Sequence, residues 1–247
     1  MSFNIKMIFL WWHFLWCLWR LRAQARKYRR QPNDSTPQQR NDYLLKRARQ
    51  ILWYFNVKLE VTGYDDLPKS PAILMPNHKS NMDPVILLAA LRKTNHAKQG
   101  GNKIPTFLAK IELKKKGIVK NALELLDTIF INRQDIRQSV KALKTYGDFI
   151  KSNKRYGVIF PEGTRIKEDG LGEFKAGAVK VAQSQYLSII PVAISDTRDA
   201  LNKNRAKKLV VKVNFLKAIK PGEFLSMENQ AVASRVKTLI EKALENE

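Results

Sequence analysis

One pattern constrains this chain more than any other feature. Short apolar runs end in polar turns, and helical patterns follow them. Ala72–Leu91 shows it most clearly as AILMPNHKSNMDPVILLAAL. A continuous apolar run of this length, bounded by turn residues, reads as a strand buried on both faces. The proline in Asp83-Pro84 marks the first turn of a helix. Strand-type runs lie at 57–62, 72–75, 106–109, 128–131, 156–160, 188–194 and 209–215, and helical patterns at 83–91, 114–126, 134–152, 176–185 and 229–247. In the last helix Val232, Val236, Leu239, Ile240 and Ala243 form one stripe that must face a core. The alternation predicts an α/β fold with a mixed central sheet flanked by helices.

The first sixty residues have a different character. Met7–Leu21 reads MIFLWWHFLWCLWRL. It falls short of the roughly 20 apolar residues a spanning helix needs. Trp11, Trp12, Trp16 and Trp19 lie within it, and Arg22, Arg26, Lys27, Arg29 and Arg30 follow it. Tryptophan favours the headgroup boundary, and Trp12, Trp16 and Trp19 fall on one helical face. Ala23-Gln24-Ala25 imitates a signal-peptide cleavage site, but the strong positive charge follows the run and holds the rest on the cytoplasmic side. Gln31–Gln39 (QPNDSTPQQ) is a polar turn, and a second amphipathic basic helix spans 41–57. The expectation is a two-helix hairpin over residues 1–60, lying on anionic lipid at the cytoplasmic face without spanning the bilayer. A helical pair packed on the core of the following domain, 61–247, is the competing reading.

The 247 residues carry 45 Lys and Arg against 22 Asp and Glu, a net charge of +23. An excess this large points to a polyanionic partner: anionic membrane, phosphorylated substrate or nucleic acid. The aromatic residues concentrate near the N-terminus instead of interleaving with basic ones, and no helix-turn-helix, zinc-finger or RNA-binding signature occurs, so nucleic acid is not the expected partner. The single cysteine, Cys17, excludes an internal disulfide. His13, His78 and His96 stand far apart with no Cys/His cluster, so no metal site is expected.

His78 and Asp83 sit in the turn between the 72–75 strand and the next helix, where α/β sheets carry active sites. A histidine takes a proton near neutral pH, and a carboxylate on its far ring nitrogen fixes the tautomer and stabilises the imidazolium. No serine nucleophile is needed if the substrate supplies the hydroxyl. Taken alone, the pair reads equally as a helix cap, since Ser80 and Asp83 form S-x-x-D. Val158–Arg165 (VIFPEGTR) is another strand ending in a turn. There Glu162, Gly163, Thr164 and Arg165 combine a flexible backbone, a hydroxyl and a guanidinium, a set suited to phosphate. Glu162 reads equally as the group that holds Arg165. Ile129–Arg133 (IFINR) ends in an arginine, and Ser188–Ile194 (SIIPVAI) is interrupted by Pro191.

In order and approximate spacing, NHKSNMD, IFINR, FPEGTR and SIIPVAI resemble the four blocks of the glycerolipid acyltransferase family, the lysophosphatidic acid acyltransferases in particular. FKAG at 174–177 also matches a stretch common in that family. The resemblance covers about 61–215. It implies that His78 and Asp83 are the catalytic pair. It further implies that Arg133, Glu162, Gly163, Thr164 and Arg165 engage the acceptor's phosphate, and that Pro191 supports the pocket wall. Lys110 resembles a lysine the family keeps near the phosphate. It lies in a basic stretch that includes Arg92, Lys93, Lys98, Lys103, Lys114, Lys115, Lys116 and Lys120. Those others form a solvated face or dock an acidic carrier protein or lipid headgroups.

The implied reaction moves an acyl group from acyl-coenzyme A or acyl carrier protein to the sn-2 hydroxyl of lysophosphatidic acid, making phosphatidic acid with no bound cofactor. Glycerol 3-phosphate or another lysophospholipid is the alternative acceptor within the family. A basic nucleic-acid- or lipid-binding protein without catalysis is the alternative outside it. One departure stands out: where the family's second block often begins with glycines, this chain has Asp127 and Thr128.

Overall fold

Strand β2 (Ala72–Pro76) is buried along its whole length because it has a parallel neighbour on each side and helices on both faces. In the computed structural model, residues 1–93 and 101–246 are described. His96, Lys98 and Glu247 lie outside them. The elements are α1 (Phe3–Arg30), α2 (Pro37–Tyr54), β1 (Val57–Thr62), β2, α3 (Asp83–Ala90), β3 (Pro105–Lys110), α4 (Gly117–Leu125), β4 (Ile129–Ile131), α5 (Ile136–Ser152), β5 (Tyr156–Val158), α6 (Gly177–Gln185), β6 (Ser188–Ile194), β7 (Leu209–Phe215) and α7 (Asn229–Glu245). The seven strands form one mixed sheet, in the order β1-β7-β6-β2-β5-β3-β4. Among the described strands, only the β6–β7 pairing is antiparallel.

Side-chain alternation splits the core into two layers. Leu74, Ile190, Val192 and Val213 face α2 and α3, meeting Leu44, Leu52, Ile86 and Leu87. Ile73, Met75, Ile189 and Ala193 face α5, α6 and α7, meeting Tyr146, Val179, Val236 and Ile240. Each large side chain buried this way contributes about 1.5–3 kcal/mol. Because β6, β2, β5, β3 and β4 run the same way, their carboxyl ends share one edge of the sheet.

Pro191 sits inside β6, a central strand, where proline is normally excluded. Its carbonyl accepts from Leu216 on the β7 side, and the β6–β7 register runs only from Val192 to Ile194. The missing N–H therefore falls where that ladder has already opened.

The N-terminal helices correct two expectations. Helix α2 starts at Pro37, inside the segment read as a turn, because Thr36 and Gln39 form a capping box ahead of it. Its apolar face packs on the domain, as in the competing reading: Leu44, Leu45, Ala48 and Leu52 are buried, while Lys46, Arg49 and Trp53 are exposed. Helix α1 extends well beyond its apolar run. It begins at the Ser2 cap, departs from helical geometry at Leu10, and ends on the basic turn Lys27, Arg29 and Arg30, charges that suit a helix C-terminus. Leu21 and Ala25 are buried, and Phe3 stacks on Phe55 at 4.5 Å. Ile8, Phe9, Trp11, Trp12, Leu15, Trp16 and Trp19 are exposed. No described helix is long and apolar enough to cross a membrane.

Candidate active site

At the end of β2 the chain turns on Asn77. Its side-chain amide donates to the Ile194 carbonyl (2.9 Å) and its oxygen accepts the Ile194 N–H (2.8 Å). One buried side chain thus replaces the next backbone rung to β6, and the following residue, His78, leaves the sheet at its carboxyl edge. His78 Nδ1 lies 2.7 Å from Asp83 Oδ2. The same oxygen accepts the N–H groups of Lys79 (2.7 Å) and Ser80 (2.8 Å), and Oδ1 accepts the Thr197 hydroxyl.

Asp83 is fully buried, and no side chain caps α3. The carboxylate therefore does not act as a helix cap. It collects the donors of the turn before the helix and orients the imidazole. With Nδ1 engaged as the donor to Asp83, Nε2 holds the free lone pair of the neutral ring. The ring leans on Phe160, with centroids 4.3 Å apart.

The turn after β5 is laced to His78 through its backbone. The His78 N–H donates to Glu162 Oε1 (3.3 Å), and the Ile166 N–H donates to the His78 carbonyl (2.9 Å). Glu162 thus supports the histidine turn and does not hold Arg165. Glu162 is buried, and Oε2 has no hydrogen-bond partner. Burial pushes its carboxyl up to about 7, against the lowering effects of the His78 N–H and the Lys79 charge.

Gly163 has a φ of +71°, a backbone conformation that glycine adopts without steric cost. Its carbonyl accepts the Arg133 guanidinium, and a Cβ added there would stand 3.0 Å from Arg133 Nη1. Arg133 is exposed as a residue, but partial desolvation of its guanidinium against the turn lowers its pKa, and the charge of Glu112 opposes that shift.

A family model described as acyltransferase matches residues 58–195. This chain belongs to the acyltransferase family. A protein of Mycoplasma genitalium named probable 1-acyl-sn-glycerol-3-phosphate acyltransferase is 32% identical over 244 residues, covering 95% of this chain and 87% of that relative. The 1-acyl-sn-glycerol-3-phosphate acyltransferase of Borreliella burgdorferi is 34% identical over 158 residues, 62% of this chain and 57% of its own. In fold, the chain resembles the crystal structure of the 1-acyl-sn-glycerophosphate acyltransferase PlsC from Thermotoga maritima. The TM-score is 0.67 at 22% identity, covering 94% and 95% of the two chains.

In this acyltransferase the carboxyl ends of four parallel strands deliver the residues picked out from the sequence. His78 follows β2, Lys110 ends β3, Arg133 follows β4, and Glu162–Arg165 follow β5. Lys110, Thr164 and Arg165 are exposed at this edge. Pro191 is apart from them, paired with Met75 inside the sheet.

Asn77, Thr197 and Lys79 were not singled out from the sequence. Thr197 lies just beyond SIIPVAI, and a hydroxyl following a strand that ends at this edge was the available signal. Lys79 Nζ donates to the Glu168 carbonyl (2.6 Å) and the Gly170 carbonyl, while Arg198 donates to the Lys167 carbonyl (2.9 Å) and pairs with Asp169 and Asp196. Together they strap the loop that follows the phosphate-type turn beside the histidine.

Proposed function

We propose that this acyltransferase transfers a fatty acyl group from a thioester donor to the sn-2 hydroxyl of lysophosphatidic acid, making phosphatidic acid. The observation that carries the reading is a histidine held by a buried carboxylate through Nδ1, beside a glycine turn whose carbonyl accepts from an arginine. The names of the relatives supply the acceptor.

Arg133, Arg165 and Lys110 hold the acceptor's phosphate, with Gly163 and Thr164 shaping the turn. His78 Nε2 takes the proton from the hydroxyl as its oxygen attacks the thioester carbonyl. Asp83 stabilises the imidazolium. When the tetrahedral intermediate collapses, the C–S bond breaks and the thiol of coenzyme A or of an acyl carrier protein leaves with the proton His78 returns. The acceptor itself is the nucleophile, so the nearby Ser80 is not required as one; its hydroxyl accepts the Met82 N–H within the turn.

Arg165→Ala tests the acceptor site. A hydrogen bond between charged groups contributes about 1.5–3 kcal/mol. The kcat/KM for lysophosphatidic acid is therefore expected to fall about 10–150-fold. Unchanged initial-rate kinetics would remove Arg165 from the site.

The exposed tryptophans of α1 rest at the headgroup level of an anionic membrane on its cytoplasmic face, and the basic residues that follow them meet lipid phosphates. A double variant, Trp12→Ser with Trp16→Ser, is expected to lose about tenfold in binding to phosphatidylglycerol vesicles by co-sedimentation. Wild-type binding by the variant would reject this orientation.

A further inference from the structure

We propose that Lys175 is a binding residue for the acceptor's phosphate and sets the preference for a phosphomonoester over a phosphodiester. The proposal deepens the acceptor reading above and rests on it.

Position 175 is fixed by its backbone. Phe174 is buried at 1% exposure, and its carbonyl accepts from Gln230 (3.1 Å). The Lys175 N–H donates to the Pro161 carbonyl (3.0 Å), which pins it beside the 160–165 turn. From there the side chain reaches Gly163: Lys175 Nζ lies 3.6 Å from where a Cβ on Gly163 would stand, and Arg133 Nη1 lies 3.0 Å from the same point. Two cations from different elements thus converge on one glycine.

Lys175 makes no ion pair with a carboxylate among the described residues, and the only hydrogen-bond acceptor of the Arg133 guanidinium among them is the Gly163 carbonyl. Both residues are exposed to solvent, so an anion can reach the space between them from outside and relieve the repulsion of the two like charges. Gly163, with no side chain, keeps that space open.

The charge count selects the ligand. A phosphomonoester carries about −1.5 to −2 charges near pH 7. A phosphodiester carries a single negative charge and a bulky second substituent. Lys175 adds a cation to those of Arg133, Arg165 and Lys110, and the added charge favours the former. Removing one of them leaves a site that serves both classes more evenly.

The test compares kcat/KM for lysophosphatidic acid with that for lysophosphatidylglycerol, a phosphodiester, in wild type, Lys175→Met, Lys175→Arg and Arg133→Ala. Thermal melts verify that each variant is folded. Wild type is expected to prefer the monoester. Lys175→Met is expected to reduce the preference at least tenfold, mainly through a higher KM for lysophosphatidic acid, and Lys175→Arg to retain most of it. An unchanged preference in Lys175→Met, with Arg133→Ala impaired on lysophosphatidic acid, overturns the role of Lys175 alone. A wild type that treats both acceptors equally, or an Arg133→Ala variant with wild-type kinetics, overturns the acceptor reading itself.

Discussion

His78→Ala is expected to lower kcat by about 10²–10⁴-fold, the range a positioned general base supplies. The rest of the rate enhancement comes from holding acceptor and donor together and from stabilising the oxyanion, and the variant keeps both. The imidazole is partly exposed and makes one side-chain hydrogen bond, to Asp83, so its removal leaves the turn's other bonds in place. The melting temperature is accordingly expected to change far less than the rate. Asp83→Asn is the sharper companion. With its oxygen in the place of Oδ2, the amide still accepts from the Lys79 and Ser80 N–H groups and from His78 Nδ1–H, but a neutral amide cannot compensate an imidazolium. Its kcat is expected to fall nearly as far as that of His78→Ala, with the double variant little worse than either single change, because the pair acts as a unit. The assay is acyl transfer to lysophosphatidic acid by detergent-solubilised protein, with acyl-coenzyme A and acyl carrier protein donors run in parallel. A folded His78→Ala protein with wild-type turnover would exclude His78 as the base.

The parts of this site that could be read from the sequence are those whose signal is local. Strand β2 ends at a proline, and α3 begins at Asp83-Pro84. Those two limits place His78 in the intervening turn before any contact is known. The same holds for VIFPEGTR, where an apolar run stops at a Gly-containing turn. What escaped depends on contacts distant in sequence. Thr197 reaches Asp83 across 114 positions, and Asn77 reaches Ile194 across 117. Nothing in the local composition of either residue announces the partner. Helix α2 escaped for another reason. Its basic residues Arg40, Lys46, Arg47 and Arg49 suggested a surface helix, yet Arg40 is buried with its charge compensated. A basic residue on a helix marks a lipid-facing side only when no carboxylate waits inside the fold.

That carboxylate belongs to Asp127, at the position where the family often has glycine. Its φ is +53°, the left-handed region that aspartate tolerates better than most side chains. The backbone therefore keeps the shape a glycine would give. The side chain adds something glycine cannot. It accepts the Tyr28 hydroxyl (2.6 Å) from α1, pairs with Arg40 (2.7 Å) from α2 and with Arg155 (3.2 Å) ahead of β5. The side chains of Arg40 and Arg155 are each only 5% exposed. Arg40 also donates to the Leu125 carbonyl and stacks over the Tyr28 ring. Asp127 precedes β4 while Arg133 follows it, so the substitution lies at the opposite end of the strand from the candidate acceptor site.

Asp127→Gly would restore the common residue and relax the backbone. It would also leave two buried guanidinium groups without their counter-ion. Breaking a buried pair in this way costs about 3–5 kcal/mol. In a chain of this size that corresponds to a fall in melting temperature of about 6–20 °C. Backbone relaxation returns only about 1 kcal/mol, so the loss dominates. Asp127→Asn keeps a side chain that tolerates the left-handed region and can still accept a hydrogen bond, and is expected to fall between glycine and wild type. A melt of Asp127→Gly within about 2 °C of wild type would mean that the two arginines find other partners. The expected order, wild type above asparagine above glycine, would instead mean that the charged node took over a structural role on a backbone already suited to glycine. That role is to fasten α1 and α2, and with them the exposed tryptophans, to the domain that carries His78.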